Sequence, residues 1–281
     1  MALAVHRGAG LTVLTAVDPL LAEAAKARAG MDLGEAQVEP ELREFVASVV
    51  PEHASWAPEI SFDMRVGNPP DVILEVAGGQ NPDVVVMGTQ GLGGLRKWLL
   101  GSTTERVLRH TRAPVLAVPP SATDAVVIHP DGARLGLIRI LVATDFSDAS
   151  DAALQWGLNA ARELSLPLIL AHVVQPLSVP PKWQPYVVEP DEERIARARA
   201  KLVSLSQRCG TQTCEVVVSK GAPPDAIASI AEEHRAGLIV VGLASDLGPL
   251  APRPGSIAYQ ILTRSNIPVL VVPISPPERA S

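Results

Sequence analysis

Short apolar, β-branched runs alternate along this chain with longer stretches in which apolar positions recur every three or four residues. That alternation is the pattern of a parallel sheet covered by helices. In the second half, residues 139–144, 167–173, 213–219, 237–242 and 267–272 read as strands. They are dominated by Val, Ile and Leu, as strands buried on both faces require. Helices are expected near 148–164, 190–209, 223–235 and 256–265, with Pro223 and Pro224 suited to a first helical turn, where a missing N–H costs nothing. In the first half the same reading gives strands near 11–17, 59–66, 83–88 and 114–118, and helices near 40–50, 69–79 and 102–111. Residues 119–137 read as a linker, with Asp131-Gly132 marking a turn.

The two halves are copies of one another. GNPPDVILEVAGGQNPDVVVMG (67–88) lies beside GAPPDAIASIAEEHRAGLIVVG (221–242) at a constant offset of 154, and the register holds through Gly101-Ser102 with Gly255-Ser256, Pro114-Val115 with Pro268-Val269, and Pro119 with Pro273. Further upstream the offset is 157, pairing LTVLTAVDP (11–19) with LILAHVVQP (168–176), so Met1 falls opposite Leu158. The second copy begins near Arg139, and about twenty of its residues, including the strand ILVATD (140–145) and most of the next helix, have no counterpart in the first. A tandem duplication of one α/β unit follows, with domains expected at 1–120 and 138–275.

Composition narrows the function without deciding it. Of 281 residues, 47% are hydrophobic and 19% charged, enough apolar content for ordinary globular cores. A net charge of −6 and a pI near 5.5 argue against nucleic acid as a partner. No apolar run approaches the roughly 20 residues that cross a bilayer. The first residues lack the basic start and cleavage site of a signal peptide, so a cytoplasmic protein without a membrane partner is expected. Cys209 and Cys214 form a lone C-x4-C, read as incidental. The six histidines show no metal-ligand spacing, and His172, within a buried strand, reads as a satisfied core residue. No H-E-x-x-H, G-x-S-x-G or P-loop motif occurs, so no catalytic residue and no metal ligand is assigned.

The stretch with chemical content is Gly88-Thr89-Gln90-Gly91, nine further residues, then Gly101-Ser102. Glycines after a buried strand let the backbone turn tightly and approach a ligand closely. Gly101 and Ser102 open a helix whose N–H groups suit a phosphate, with Arg96 and Lys97 in the intervening loop. Ser102-Thr103-Thr104-Glu105 also spells a capping box, which starts a helix with or without a ligand, and spacing alone leaves both readings open.

Gly88-x2-Gly91-x9-Gly101-Ser102 resembles the G-2x-G-9x-G-(S/T) signature of the ATP-binding universal stress proteins. ILVATDFSDASDAALQWGLNAARELSLPLILAHVV (140–174), the GxPPD turn and the closing PVLxVP are similar to that family too. The resemblance implies two tandem Rossmann-like units of the adenine nucleotide alpha hydrolase type. Each is an open parallel sheet of order 3-2-1-4-5 flanked by helices, with strand 1 missing from the first unit. It implies ATP or a related adenine nucleotide, with magnesium, as ligand at the switch point above strands 1 and 4. Thr144 and Asp145 would contact the adenosine and Val173 would meet the adenine through its backbone; Gly242, Gly255 and Ser256 would hold phosphate. The plain reading of Asp145 is a turn or cap residue before the helix after Ser147. The function implied is a stress-responsive binding or regulatory module and not an enzyme, with an adenine nucleotide, an unidentified protein and a second copy of the chain as partners. The alternatives are a nucleotide-free interaction scaffold, with the Pro-rich 174–189 stretch as its working surface, and a slow ATP hydrolase using a group such as Asp246.

The sequence departs from the signature at Ser245, where the second glycine belongs, and the loop after it carries Pro249, Pro252 and Pro254, each without a donor. The first copy keeps its glycine loop but lacks the strand bearing the Asp. Because strand 1 is central in the order 3-2-1-4-5, its absence is expected to split the first sheet between strands 2 and 4. A start downstream of the family's usual one is the expected cause; the alternative is that Ala125-Val126-Val127-Ile128-His129 fills the gap.

Overall fold

A computed structural model describes residues 1–29, 35–49, 57–89, 100–122, 126–129, 132–176, 182, 191–210, 213–243 and 256–274. The chain divides into two compact units, Met1–Asn81 with Thr123–Gly136, and Pro82–Ala122 with Leu137–Ser281.

The second unit is built on a seven-stranded sheet of β3 (Val85–Gly88), β4 (Val115–Val118), β7 (Ile140–Ala143), β8 (Leu168–Val174), β9 (Cys214–Lys220), β10 (Leu238–Leu243) and β11 (Val269–Pro273), in the order β3-β4-β11-β10-β7-β8-β9. Its β9-β8-β7-β10-β11 portion is parallel throughout and has the expected order 3-2-1-4-5. Helices α6 (Asp148–Leu164), α7 (Asp191–Ser206), α8 (Pro223–Glu233) and α9 (Ile257–Arg264) connect these strands, and α5 (Ser102–His110) connects β3 to β4. The core lies between α6 and the central strands: Ala153, Leu154, Leu158 and Ala161 of the helix cover Ile140, Val142, Leu170 and Val240 of the sheet. Gly157 is small for a reason, since a Cβ there would lie 2.4 Å from Val142 Cγ2. A short 3-10 turn, Gln207–Cys209, follows α7 where the sequence pattern runs on as helix.

The two copies meet within this sheet. β4 pairs antiparallel with β11, with Val115 opposite Val271, Leu116 opposite Leu270 and Ala117 opposite Val269. The repeat offset carries Leu116 onto Leu270, so the register is centred on equivalent leucines and the pairing has local two-fold character. The same offset joins the helices beside it, where the Tyr259 hydroxyl donates to the Glu105 carbonyl at 3.2 Å.

The first unit holds α1 (Ala2–Arg7), β1 (Leu11–Val17), α2 (Pro19–Ala29), α3 (Glu35–Val49), β2 (Ile60–Val66) and α4 (Pro69–Gln80). β1 and β2 form a parallel two-stranded sheet. The first copy's strands are therefore divided between two sheets at the expected place, between its strands 2 and 4. Helices α1 and α2 were not legible as such in the apolar pattern. At offset 157, α1 is the end of α6: Gly8 and Ser165 both close their helices in the left-handed conformation, and the bonds Gly8 N–H to Val5 C=O and Ala9 N–H to Ala4 C=O repeat Ser165 to Arg162 and Leu166 to Ala161. Residues 126–129 do not fill the gap. They form β5 (Val126–His129) of an antiparallel hairpin with β6 (Gly132–Leu135), within what reads in the sequence as a linker.

Candidate functional site

In a parallel sheet of this order the carboxyl ends of neighbouring strands form one mouth, and residue register decides what reaches it. Ala143 pairs with Ala171 on one side and Val241 on the other, so Thr144 emerges beside His172 and Gly242. Thr144 is buried and tied down on every side. Its N–H donates to the Ala171 carbonyl at 2.9 Å, its hydroxyl lies 2.9 Å from the Ser150 hydroxyl and accepts from the Phe146 N–H at 3.0 Å, and its carbonyl lies 2.8 Å from His172 Nδ1. These bonds fix the turn that presents Asp145.

Asp145 is exposed at the strand end, with Oδ1 accepting from the Ser147 N–H at 3.0 Å and from the Ser147 hydroxyl. The first of these closes an Asx turn, the plain role expected of it. Partial burial alone would raise its pKa, but the hydrogen bonds from Ser147 outweigh that and hold the carboxyl below its ordinary 3.8. It is a carboxylate at neutral pH. Ser147 caps α6 by accepting from the Ser150 N–H at 3.3 Å.

Sequence reasoning missed Phe146. It adopts φ 65, left-handed backbone that costs a non-glycine residue about 1–2 kcal/mol. The ring has two partners, His172 at 4.5 Å between centroids and Lys201 Nζ at 5.0 Å from the ring centre. No residue pattern signals a positive φ at phenylalanine. His172 is half-buried with a satisfied Nδ1, as its strand position led one to expect. Beside this turn a cleft of about 300 Å³ opens between α6 and α7, floored by Leu154 and Leu205 and rimmed by Ser147, Asp151, Lys201 and Ser204.

The phosphate side is more mixed. Gly242 has a packing reason: a Cβ there would sit 2.1 Å from the Ala149 carbonyl oxygen and 2.7 Å from the Ser150 nitrogen, so glycine is what lets α6 start against β10. Ser256 precedes α9 as its N-cap, yet its side chain makes no capping bond, and Oγ is buried with no hydrogen-bond partner among the described residues. Val173 lies buried in β8, one residue before the strand ends. Gly255, Ser245, Asp246 and the three loop prolines lie outside the described residues.

In the first copy, Gly88 ends β3 and is exposed, and its carbonyl accepts from the Thr104 hydroxyl at 2.8 Å. The Gly101 N–H is used internally, donating to the Thr89 carbonyl at 2.9 Å and pinning the base of the loop. The capping box is not formed. Gly101 is the N-cap of α5, Ser102 is the first helical residue, and the Glu105 side chain turns to Arg109 at 2.6 Å. Gly91, Arg96 and Lys97 lie outside the described residues, as does nearly all of the 174–189 stretch. Among the described residues no group of three His, Cys, Asp or Glu is placed to hold a metal, and no helix is long and apolar enough to cross a membrane. Cys209 and Cys214 are free thiols in one core cluster, and burial pushes the Cys214 thiol well up, which disfavours a reactive thiolate.

The model of the universal stress protein family matches residues 1–119 and 138–273. The chain belongs to the universal stress protein family. A universal stress protein of Mycolicibacterium smegmatis is 27% identical over 195 residues, 69% of this chain and 62% of that protein, so the match spans less than two thirds of the relative's length. Universal stress protein Rv2005c of Mycobacterium tuberculosis is 26% identical over 217 residues, 75% of this chain and 68% of that one. A crystal structure of a universal stress protein from Archaeoglobus fulgidus superposes with a TM-score of 0.65 at 21% identity, covering 94% of this chain and 87% of that chain, which establishes the shared fold.

Proposed function

We propose that this universal stress protein binds an adenine nucleotide at the mouth formed by β7, β8 and β10 and acts as a cytoplasmic regulatory module, not as an enzyme. The observation that carries the reading is the Ser256 hydroxyl. A buried hydroxyl without a partner costs on the order of 1–3 kcal/mol, and a phosphate oxygen at the first turn of α9 supplies the missing partner. The ionised Asp145 at the end of β7 supports it, since a carboxylate there can accept from ribose hydroxyls. In this reading Thr144 fixes the turn, Val173 offers backbone to the base, and Gly255 and Ser256 hold phosphate. Gly242 gives the close approach of strand and helix. Gly88, Gly91, Gly101 and Ser102 form the corresponding phosphate half of the first copy. Magnesium would travel with the phosphates. The repeat itself suggests the domain division at 1–120 and 138–275.

The test is a thermal shift with and without MgATP. A ligand selective for the native state stabilises by RT ln(1 + [L]/Kd), about 2.7 kcal/mol at a hundredfold excess over Kd. Wild type is expected to shift, Ser256→Ala to shift less, and Asp145→Ala to lose the effect. One observation favours a second reading: α6 backbone already explains the glycine at 242 without any ligand. Absence of a shift in wild type would leave the chain as a nucleotide-free scaffold of the same fold.

A further inference from the structure

The cleft between α6 and α7 has a lining that the nucleotide reading does not use. Ser147, Asp151 and Leu154 reach it from the start of α6, and Lys201, Ser204 and Leu205 from the middle of α7, each set at the spacing of one helical face. Gly242 and Ser256 belong to β10 and α9 and do not line it; β10 lies on the far side of β7 from β8. Asp145 does not line it either. The left-handed backbone at Phe146 brings that residue into the wall of the cleft, and strain of this kind persists where the surroundings enforce it.

The lining is of two kinds. Leu154, Leu205 and Phe146 are apolar, and a volume of about 300 Å³ is at the small end of ligand pockets. Lys201 supplies the charge. Among the described residues its contact is the Phe146 ring, and no carboxylate pairs with it. Its neighbours on the helix surface at positions 197, 198, 204 and 205 are Arg, Ala, Ser and Leu, so α7 itself offers no acid. The acids beside the cleft are already engaged: Asp151 pairs with Arg208, and Asp145 accepts from Ser147. An ammonium without a counter-ion, set against an apolar floor, calls for an anion that carries an apolar body.

We propose that this cleft is a second ligand site, for a small amphipathic carboxylate. The carboxylate lies at Lys201 with the Ser204 hydroxyl beside it, and the apolar body lies against Leu154, Leu205 and Phe146. The proposal stands apart from nucleotide binding and is tested without nucleotide.

The probe is benzoate, with benzamide as its uncharged counterpart, followed through amide chemical shifts of the full chain. Saturable shifts are expected at Ser147, Leu154, Lys201 and Leu205 with benzoate. Benzamide is expected to bind at least about tenfold more weakly, because it brings no charge to Lys201. Lys201→Met keeps an apolar stem and removes the ammonium. It is expected to weaken benzoate by the same factor and to leave benzamide unchanged, a split that general loss of structure would not produce. Ser204→Trp, at an exposed position, fills the rim of the cleft and is expected to abolish the shifts. The proposal is overturned if benzoate gives no saturable shift at these residues, or if benzoate and benzamide bind alike. It is overturned equally if binding survives Ser204→Trp, or if the shifts gather at Gly242 and Ser256, which would place the anion in the nucleotide mouth.

Discussion

Val86 and Val240 occupy the same place in the repeat, yet one is 54% exposed and the other wholly buried. The strands around them differ in the same sense. β8 is buried along almost all its length, while every residue of its counterpart β1 is only half-buried. The sequences of these strands are alike in character, so the difference does not arise within them. It arises from β7, which stands between β8 and β10, and from the first three turns of α6, which pack on that sheet; neither has an equivalent in the first copy. An apolar pattern records what a strand is suited to lie against; its neighbours decide whether that burial is realised. The comparison also shows where the first copy found replacement contacts. β4 gains β11 as a neighbour, and Val115 and Ala117 are fully buried, while β3, one strand further out, is left at the edge.

The sharpest way to break the comparison is at the paired glycines. Gly242→Ala places a Cβ against main-chain atoms of Ala149 and Ser150 that cannot rotate away, and is expected to destabilise by about 3 kcal/mol. Gly88→Ala, at an exposed position, is expected to stay within about 0.5 kcal/mol. Urea unfolding followed by circular dichroism measures both. Equal losses would mean that Gly88 is covered in solution, and the contrast between the copies would collapse. The paired valines give the next effect. Val240→Ala removes fully buried methyl groups at a cost of about 2 kcal/mol, whereas Val86→Ala is expected to cost under about 0.5 kcal/mol in the same assay.

Much of this asymmetry was legible before any coordinates. The repeat offsets located the missing strand and helix to within a few residues, and the centrality of strand 1 foretold where the first sheet would divide. Strands buried on both faces announce themselves through uninterrupted Val, Ile and Leu, which is why β8, β10 and β11 were found nearly to the residue. What stayed hidden depends on partners that sequence does not specify. The antiparallel pairing of β4 with β11 is a choice of edge, and nothing in VLAV or VLVV encodes it. Helix α1 is too short to show a period and is recognisable only as the last turns of α6. Around the β7 strand end, the family resemblance singles out Asp145 and Ser256, while the left-handed Phe146 and the orphaned Ser256 hydroxyl are tertiary facts. The capping box failed because helix α5 starts one residue earlier than its serine suggests, with glycine in the capping position.

The junction between the copies offers a smaller, pH-dependent effect. Tyr259 is buried on α9, and burial pushes its phenol up to about 12 from an ordinary 10.0. A raised native value means that its contribution is fully present below pH 10 and is lost as pH rises through about 12. Tyr259→Phe removes the bond to the Glu105 carbonyl at a cost of about 1 kcal/mol at neutral pH. The variant is also expected to unfold less steeply with alkali than wild type. Denaturation midpoints collected across the alkaline range test both statements, and an unchanged alkaline limb would remove the phenol from the account.

The smallest effect separates the copies by chemistry and not by packing, because only the second has a carboxylate at the end of its first strand. The hydrogen bonds from Ser147 lower the pKa of Asp145 in the native state. The native chain therefore binds this proton less readily than the unfolded chain does, and stability from this source is present above the ordinary value of 3.8 and disappears as pH falls through the native one. Because Asp145 is exposed, solvent screening limits its size to under about 1 kcal/mol. Asp145→Asn keeps an oxygen for the Asx turn but cannot change charge. The gap between wild-type and variant midpoints should thus be largest near neutrality and should close as the solution is acidified toward about pH 2. A gap that stays constant over that range would mean that Ser147 donates to a group whose charge is immaterial to folding. The plain turn role of Asp145 would then suffice for stability.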